Sequence, residues 1–198
     1  MRAGVWRSSP SRGGVVLALL VLGILSQACS SKLVPYGEGA TVGFRHRDIG
    51  YKIALPDWGE IPAWERYEIE GVDLAFRDSK DGGRSNMSLL SQCRDSGASP
   101  QVLARHLTIG LSESQVLRSG PVALAGDPGW SQTFVTRQEG TPAQVKSVTV
   151  VSLPCVFDWV LVMPGNFGRI ESIFDRWWAS FEFHAEGAEA GRQLEVAR

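Results

Sequence analysis

Cysteine is the residue type with the clearest chemistry in this chain of 198 residues, which has three: Cys29, Cys93 and Cys155. Cys29 follows a basic start with three arginines and no acid, and then an unbroken apolar run over residues 15–25. A basic start, a short apolar run and a small residue at the cleavage point are typical of a secretory signal peptide. The run is too short to cross a bilayer, which takes about 20 apolar residues. We therefore expect residues 1–28 to be a leader that is removed on export.

The residues around Cys29 resemble the lipobox of bacterial lipoproteins, because Leu25-Ser26-Gln27-Ala28 leads directly into Cys29-Ser30-Ser31. The resemblance implies that the thiol of Cys29 is acylated and that Cys29 becomes the first residue of the mature protein. Two or more acyl chains hold a protein stably on a membrane. The polar Ser30 resembles the signal for sorting to the outer membrane. We expect a lipid-anchored protein on the periplasmic face of the outer membrane, although residues 26–28 also fit the ordinary signal peptidase, which would leave a free thiol.

The other two cysteines, Cys93 and Cys155, form an isolated pair. Such a pair outside the cytoplasm is more often bonded than free. Cys93 ends one predicted strand and Cys155 begins another, and adjacent strands can bring two cysteines to bonding distance. We expect a disulfide, with two buried thiols as the alternative. The chain has no CxxC spacing, so a redox-active centre is not expected.

Charge and length limit the class of protein. Without the leader, 17 of the 20 Lys and Arg remain against 21 Asp and Glu, a formal charge of about −4. No basic cluster is present, which argues against binding of nucleic acid and against charge-driven docking to anionic lipid. The length suits a single domain, which we place at residues 44–183. A flexible, polar tether at residues 29–43 precedes it, and a disordered tail at residues 184–198 follows it.

The elements of this domain are mostly strands. Ser99 as N-cap and Pro100 at the first helical position predict one helix, and an aromatic face at helical spacing predicts another over residues 167–181. The last strand, over residues 155–163, is apolar on both faces apart from Asp158, so it should be central. Strands are predicted at residues 50–55, 64–69, 72–77, 85–93, 115–122, 130–138, 144–153 and 155–163. The order predicts an α+β fold, an antiparallel sheet of about six to eight strands with helices packed on it.

Several segments resemble bacterial envelope lipoproteins with a PsbP-like (DcrB-like) domain. They are residues 50–53 with Pro56, residues 71–76, residues 155–158 and the closing residues 174–181. The resemblance covers roughly residues 44–183 and implies an α/β/α sandwich. It also implies a non-enzymatic accessory or assembly module, and it supplies no catalytic residue.

A catalytic or metal-binding pattern is not apparent in the sequence. The three histidines, His46, His106 and His184, are far apart, and the sequence has neither a GxSxG elbow nor the HExxH or paired-cysteine spacing of a zinc site. Asp78 and Asp81 lie near two glycines, but their spacing fits a hairpin tip better than a calcium loop. We therefore expect no enzymatic activity, no metal and no cofactor.

Three residues are candidates for contact with a ligand or partner: Trp58, Asp158 and Trp178. A carboxylate in an apolar strand is costly unless it is hydrogen-bonded or paired. Asp158 should therefore be bonded by backbone or by a basic side chain, or else line a pocket; the candidate partners are Arg66, Arg77 and Arg105. Exposed tryptophans favour binding of protein or glycan, and the alternative is that Trp58 and Trp178 cap the edges of the sheet and helix.

Three hypotheses for function follow. The first is a non-catalytic binding or assembly module with an envelope protein as partner. The second is a periplasmic carrier of a small ligand, with a cleft between sheet and helix lined by tryptophan and Asp158. The third is an enzyme, such as a hydrolase, whose residues converge from several strands. The third would need a pocket that brings His46 or His106 against a carboxylate or hydroxyl.

Overall fold

The computed structural model describes residues 33–37, 42–56, 59–61, 63–93, 97–109, 111, 113–138 and 140–183. These residues form eleven strands, two α-helices and a short 3₁₀ turn at Ser79–Asp81. The strands are β1 (Leu33–Tyr36), β2 (Gly43–His46), β3 (Tyr51–Ala54), β4 (Trp64–Tyr67), β5 (Leu74–Asp78), β6 (Asn86–Cys93), β7 (Gln115–Leu124), β8 (Asp127–Gln138), β9 (Thr141–Ser152), β10 (Cys155–Pro164) and β11 (Glu182–Phe183). The helices are α1 (Pro100–His106) and α2 (Ile170–Ala179).

The strands pair into two antiparallel sheets. The small sheet has the order β1-β2-β3-β11, and the large sheet has the order β4-β5-β6-β10-β9-β8-β7. The expected α+β fold with an antiparallel sheet and packed helices is confirmed. The structure adds the small sheet, because β1, β2 and β11 are too short to stand out in the sequence.

Strand β10 lies at the centre of the large sheet, as its apolar character predicts. Phe157, Trp159 and Leu161 are completely buried on one face, while Asp158 and Val160 on the other face are half-buried. The first face packs against α2 and the small sheet, and we call it the α2 face. The opposite face, which carries Asp158, is covered in part by α1, since Gln132 Nε2 donates to the carbonyl oxygen of Ala104 over 2.7 Å. We call this the α1 face.

Aromatic rings fill the core on the α2 face. Tyr51 of the small sheet stacks on Phe181 with 4.8 Å between ring centres, and its edge meets Phe157 at 5.7 Å. Phe76 of β5 meets Trp177 of α2 edge to face at 5.5 Å. Offset and edge-on ring pairs of this kind add to the stabilisation that comes from burial alone.

Both helices form close to their predicted places. The Ser99 hydroxyl caps α1 by accepting from the amide of Val102 at 3.4 Å, and Pro100 begins the helix. Helix α2 begins at Ile170 rather than at residue 167, because Phe167 and Gly168 belong to the turn that leads into it; Gly168 has φ +50°. A positive φ costs little conformational energy only for glycine. Gly168 therefore lies outside the helix, and α2 begins after it.

The prediction of a flexible tether over residues 29–43 is wrong for residues 33–36. Leu33–Tyr36 is strand β1, which pairs in register with β2 from Leu33 opposite His46 to Tyr36 opposite Gly43. Leu33 is buried in the core. The polar neighbours in the sequence concealed this short strand. The predicted leader, Cys29 and the predicted tail at residues 184–198 lie outside the described residues.

Cys93 and Cys155 face each other across β6 and β10, and their sulfur atoms are bonded at 2.03 Å. The predicted disulfide is therefore confirmed, and it joins positions 62 residues apart in the chain. No helix in the described part of the chain has the length and apolar character needed to span a membrane.

Candidate functional site

A cleft of about 360 Å³ opens on the α2 face of the large sheet, between β7, β8 and β9 and the turn that leads into α2. We call it the Arg118 cleft. Its lining combines charged, amide and apolar side chains: Leu117, Arg118, Thr133, Gln144, Asn166, Phe167, Gly168 and Glu171. None of these residues stands out as a functional residue in the sequence.

Strand pairing places two cations of the cleft region on the same face of the sheet. Arg118 of β7 lies opposite Thr133 of β8, which in turn lies opposite Lys146 of β9. Residues directly opposite one another in antiparallel strands share a face. A β-bulge between Val116 and Arg118 leaves Leu117 unpaired at the edge of the sheet, and the Leu117 side chain is 51% exposed. The bulge therefore presents an apolar and a cationic side chain side by side.

Two carboxylates from α2 neutralise these cations. Glu171 bridges them, since its Oε1 lies 2.9 Å from Lys146 Nζ and also accepts a hydrogen bond from Arg118. Asp175, one turn further along, lies 2.7 and 2.8 Å from the same Lys146 Nζ. Acidic residues at i and i+4 share a helix face, so α2 presents both to the sheet. The cluster holds two positive and two negative charges.

The two cations differ greatly in access to solvent. The Lys146 side chain is 9% exposed and the Arg118 side chain is 60% exposed. Lys146 is thus a buried structural cation that joins β9 to α2. Arg118 is anchored by its Nε, which donates to Thr133 Oγ1 over 3.0 Å, and by Glu171, yet it stays open to a partner.

The side-chain amide of Gln144 holds the turn that lines one side of the cleft. Gln144 Oε1 accepts a hydrogen bond of 3.2 Å from the backbone amide of Phe167, which fixes the turn into α2. The Phe167 side chain is buried, while Asn166 beside it is exposed. The cleft therefore offers a fixed guanidinium, a carboxamide and the apolar Leu117 in one place. Such groups recognise and orient a binding partner.

Asp158 lies on the opposite face of the sheet from the cleft. Its Oδ1 accepts a hydrogen bond of 2.5 Å from the hydroxyl of Thr149, the residue directly opposite on β9. Burial raises the pKa of the Asp158 carboxyl, and the Thr149 hydrogen bond opposes this effect. The expectation of a backbone or basic partner is wrong, because a neutral hydroxyl from the neighbouring strand takes that role.

The three predicted contact residues do not form a common site. Trp58 lies outside the described residues. Trp178 is on α2, where its Nε1 donates to Asp175 Oδ1 over 3.1 Å and so orients the carboxylate that holds Lys146. Asp158 is on the α1 face, so the sheet separates it from Trp178 of α2. Trp130 lies opposite Thr149 and therefore shares the face of Asp158, and a cleft lined by tryptophan and Asp158 stays a prediction.

His46 does lie near a carboxylate, one of the groups that the enzyme hypothesis names. Its Nε2 lies 4.0 Å from Asp73 Oδ1, and Tyr51 donates its hydroxyl to Asp73 Oδ2 over 2.9 Å. Burial, and then the charge of Asp73, raise the pKa of Tyr51. However, His46 is 3% exposed, and its Nδ1 accepts from the amide of Ile49 at 3.2 Å. The cluster ties the small sheet to the loop before β5 and leaves the imidazole enclosed by protein.

The remaining predicted polar groups have local roles. His106 is exposed in the last turn of α1, and His184 lies outside the described residues. Asp78 Oδ1 accepts from the amide of Lys80 at 2.8 Å, and Asp81 Oδ2 accepts from the amide of Ser85 at 2.9 Å, so both stabilise the hairpin between β5 and β6. Within the described ranges, no group of three or more histidine, cysteine or acidic side chains could hold a metal ion.

The sequence contained a weak signal for the Arg118 cleft. Lys146 alternates with Gln144 and Val148, so it falls on the core face of a strand, and Glu171 and Asp175 have the i, i+4 spacing of a helix face. A lysine on a core face needs an acidic partner. The pattern could therefore have predicted a pairing of β9 with α2, but not the place of Arg118.

Comparison with known proteins shows the fold. No protein-family model matches the sequence, and no curated protein does. Among solved structures, cyanobacterial PsbP (CyanoP) from Synechocystis sp. PCC 6803 is similar with a TM-score of 0.52 and 13% identity, over 80% of this chain and 96% of that one. LpqN of Mycobacterium tuberculosis, a protein involved in cell envelope biogenesis, has a TM-score of 0.42 and 14% identity, over 72% of this chain and 83% of that one. The sheet order, the helix placement and the likeness to CyanoP together show a PsbP-like α+β fold.

Proposed function

We propose that this protein is a lipid-anchored component of the bacterial cell envelope, on the periplasmic face of the outer membrane. Its PsbP-like domain would be a non-catalytic binding or assembly module that docks a protein partner at the Arg118 cleft. The leader and the lipobox-like residues before Cys29 support the anchor. The exposed, pre-positioned Arg118 beside the exposed Leu117 is the observation that carries the binding role.

The composition of the cleft supports a protein partner. Arginine is among the residues that contribute most to protein interfaces, and it does so where it is held in place and flanked by apolar surface. Arg118 meets both conditions, since Thr133 and Glu171 hold it and Leu117 lies next to it. Holding the side chain before binding lowers the entropy cost of forming the complex.

A non-catalytic role agrees with the state of the polar groups at the cleft. The hydroxyl of Thr133 accepts from Arg118, the amine of Lys146 is held by two carboxylates, and Glu171 is shared between two cations. Nucleophilic catalysis needs a free nucleophile beside a base. These groups instead satisfy one another, which suits a rigid recognition surface.

Binding of a small ligand is the second candidate, and the volume of the cleft favours it. About 360 Å³ falls within the range of roughly 300–1,000 Å³ that is usual for ligand pockets. The exposed guanidinium would select a ligand with a carboxylate or phosphate group. Against this, Leu117 and Arg118 stand largely in solvent, so a small molecule would be poorly enclosed.

Photocrosslinking in intact cells tests the binding role. A photoreactive amino acid at Leu117 on edge strand β7 should crosslink a defined envelope protein, and Arg118→Ala should abolish the adduct. The matched controls are a probe at Ile69, 41% exposed next to the opposite edge strand β4, and the substitution Arg77→Ala in an exposed ion pair. Equal adducts from both probes, or adducts that survive Arg118→Ala, would refute the proposed site.

The anchor has a separate test. Mass spectrometry of the protein purified from its native membrane should find an acylated Cys29 as the first residue. A Cys29→Ala variant should then accumulate as an uncleaved or soluble form. A native product that begins elsewhere, or that carries no lipid, would refute the anchor without affecting the binding site.

A further inference from the structure

The distance between the proposed anchor and the folded domain is unexpectedly short. Strand β1 begins at Leu33 and is paired with β2 along its whole length. Only Ser30, Ser31 and Lys32 separate it from Cys29. Four extended residue steps span at most about 14 Å. A tether of this length would hold β1, the edge strand of the small sheet, close to the bilayer surface.

The small sheet has one buried face and one open face. Phe44, His46, Tyr51 and Ile53 point into the core and are buried. Strand alternation places Val34, Tyr36, Arg45 and Lys52 on the other side, where they are half-buried or exposed. We call these four residues the outer face. Because β1 is at the edge of the small sheet, the outer face is the broad open surface nearest to the anchor.

The outer face has the side chains that favour the interface between lipid and water. Register aligns Val34, Arg45 and Lys52 as a row across β1, β2 and β3. The ring of Tyr36 lies over Gly43, since a methyl group at Gly43 would be 2.8 Å from Tyr36 Cε1. Tyrosine rings and the long stems of lysine and arginine settle at headgroup level, with their polar ends in water.

The charge of this region is weakly positive. Arg45 and the adjoining Arg47 are exposed and have no carboxylate partner among the described residues, and Lys52 Nζ lies 2.7 Å from Glu182. With Asp48 and Glu182 counted, the cations exceed the acids by one. A net charge of this size is too small to bring a soluble protein to a membrane. In a domain that is already anchored, the charge needs only to favour one orientation over the others.

We propose that the outer face of the small sheet rests on the headgroups of the bilayer that holds the anchor, with anionic phospholipid beside Arg45. The inference rests on the proposed lipid anchor and deepens it. It places α1 on the far side of the domain, because the large sheet lies between α1 and the small sheet. The domain then presents its α1 face toward the periplasm.

Lipid photocrosslinking tests the orientation on the full acylated protein. The photoreactive p-benzoylphenylalanine replaces Tyr36, and in a second protein it replaces Ile109, which follows α1 and is 74% exposed. Each protein is reconstituted into vesicles of phosphatidylethanolamine and phosphatidylglycerol at 3:1, after mass spectrometry has established the state of Cys29. We expect lipid adducts from position 36 and almost none from position 109. A probe at Val34, on the same face, repeats the test if the ring substitution disturbs β1.

A charge reversal supplies the matched control. Arg45→Glu changes the charge by two units, which should lower the ratio of membrane-facing to other orientations by roughly 10- to 30-fold and so reduce the adducts from position 36. Arg105→Glu, on exposed α1, should leave the adducts unchanged. Equal adducts from positions 36 and 109, or insensitivity to Arg45→Glu, would overturn the orientation while the anchor stands. A native Cys29 without lipid would overturn both.

Discussion

Replacing Lys146 by methionine removes the charge that joins β9 to α2. In the structure, Lys146 Nζ lies 2.7 and 2.8 Å from the two oxygens of Asp175 and 2.9 Å from Glu171. Methionine fills nearly the same space, so the substitution separates the loss of charge from the loss of packing. The two carboxylates would then lie close together with only Arg118 to neutralise them.

The expected cost follows from the exposure of the three groups. Removing one partner of a fully buried ion pair costs about 3–5 kcal/mol. Here Glu171 and Asp175 are 28% and 43% exposed, so water can solvate them once the lysine is gone. We therefore expect Lys146→Met to lower the free energy of unfolding by about 2 kcal/mol. For a domain of this size, that is a fall in Tm of about 4–8 °C.

Urea denaturation with the disulfide intact measures this cost. The matched control is Arg176→Met, also in α2, because Arg176 Nη2 lies 2.7 Å from Glu60 Oε1 in a pair that is 56% and 35% exposed. An exposed pair contributes less than about 1 kcal/mol. If Lys146→Met costs no more than Arg176→Met, the buried cation does not stabilise the joint between sheet and helix.

Three further predictions concern single positions. Asp158→Asn should stabilise the protein at neutral pH, because the raised pKa of Asp158 means that its charged form is unfavourable in the folded state; the advantage should vanish as the pH falls below about 3.9, the unfolded pKa. Replacing both Cys93 and Cys155 by alanine should cost about 4 kcal/mol, since the disulfide closes a separation of 62 residues. Gly43→Ala should cost about 2 kcal/mol or more through overpacking, because the added methyl would lie 2.3 Å from the carbonyl oxygen of Ile53, whereas Gly120→Ala meets no atom within 4 Å.

Denaturation curves check all three, and each has an outcome that contradicts it. A stability difference for Asp158→Asn that is independent of pH would mean that ionisation of this carboxyl does not matter. The double alanine variant should be as stable as the reduced wild-type protein. If it is instead as stable as the oxidised wild type, the disulfide does not stabilise the fold. If the alanine at position 43 is tolerated as well as that at position 120, the carbonyl oxygen of Ile53 does not lie as close to position 43 as the structure has it.

The sequence was most informative where one local interaction dominates. Ser99 and Pro100 predict the start of α1 correctly, because a cap and a fixed φ act within one turn of the chain. The apolar strand over residues 155–163 is correctly central, because only a central strand can hide two apolar faces. The disulfide was predicted correctly because Cys93 and Cys155 lie at the ends of predicted strands. The strand β1 was missed, since four residues of mixed character have no periodicity to read.

The sequence by itself determined the α+β class and the central position of β10, because each depends on composition or on the order of residues along the chain; the processing site before Cys29 stays a prediction. Only the tertiary structure decided that Asp158 and Trp178 lie on opposite faces of a sheet, and that Arg118, Lys146 and Glu171 meet. Those contacts depend on strand register and on the placement of α2 across β9. A shift of one residue in register would move every side chain of a strand to the other face, and no local pattern in the sequence specifies it.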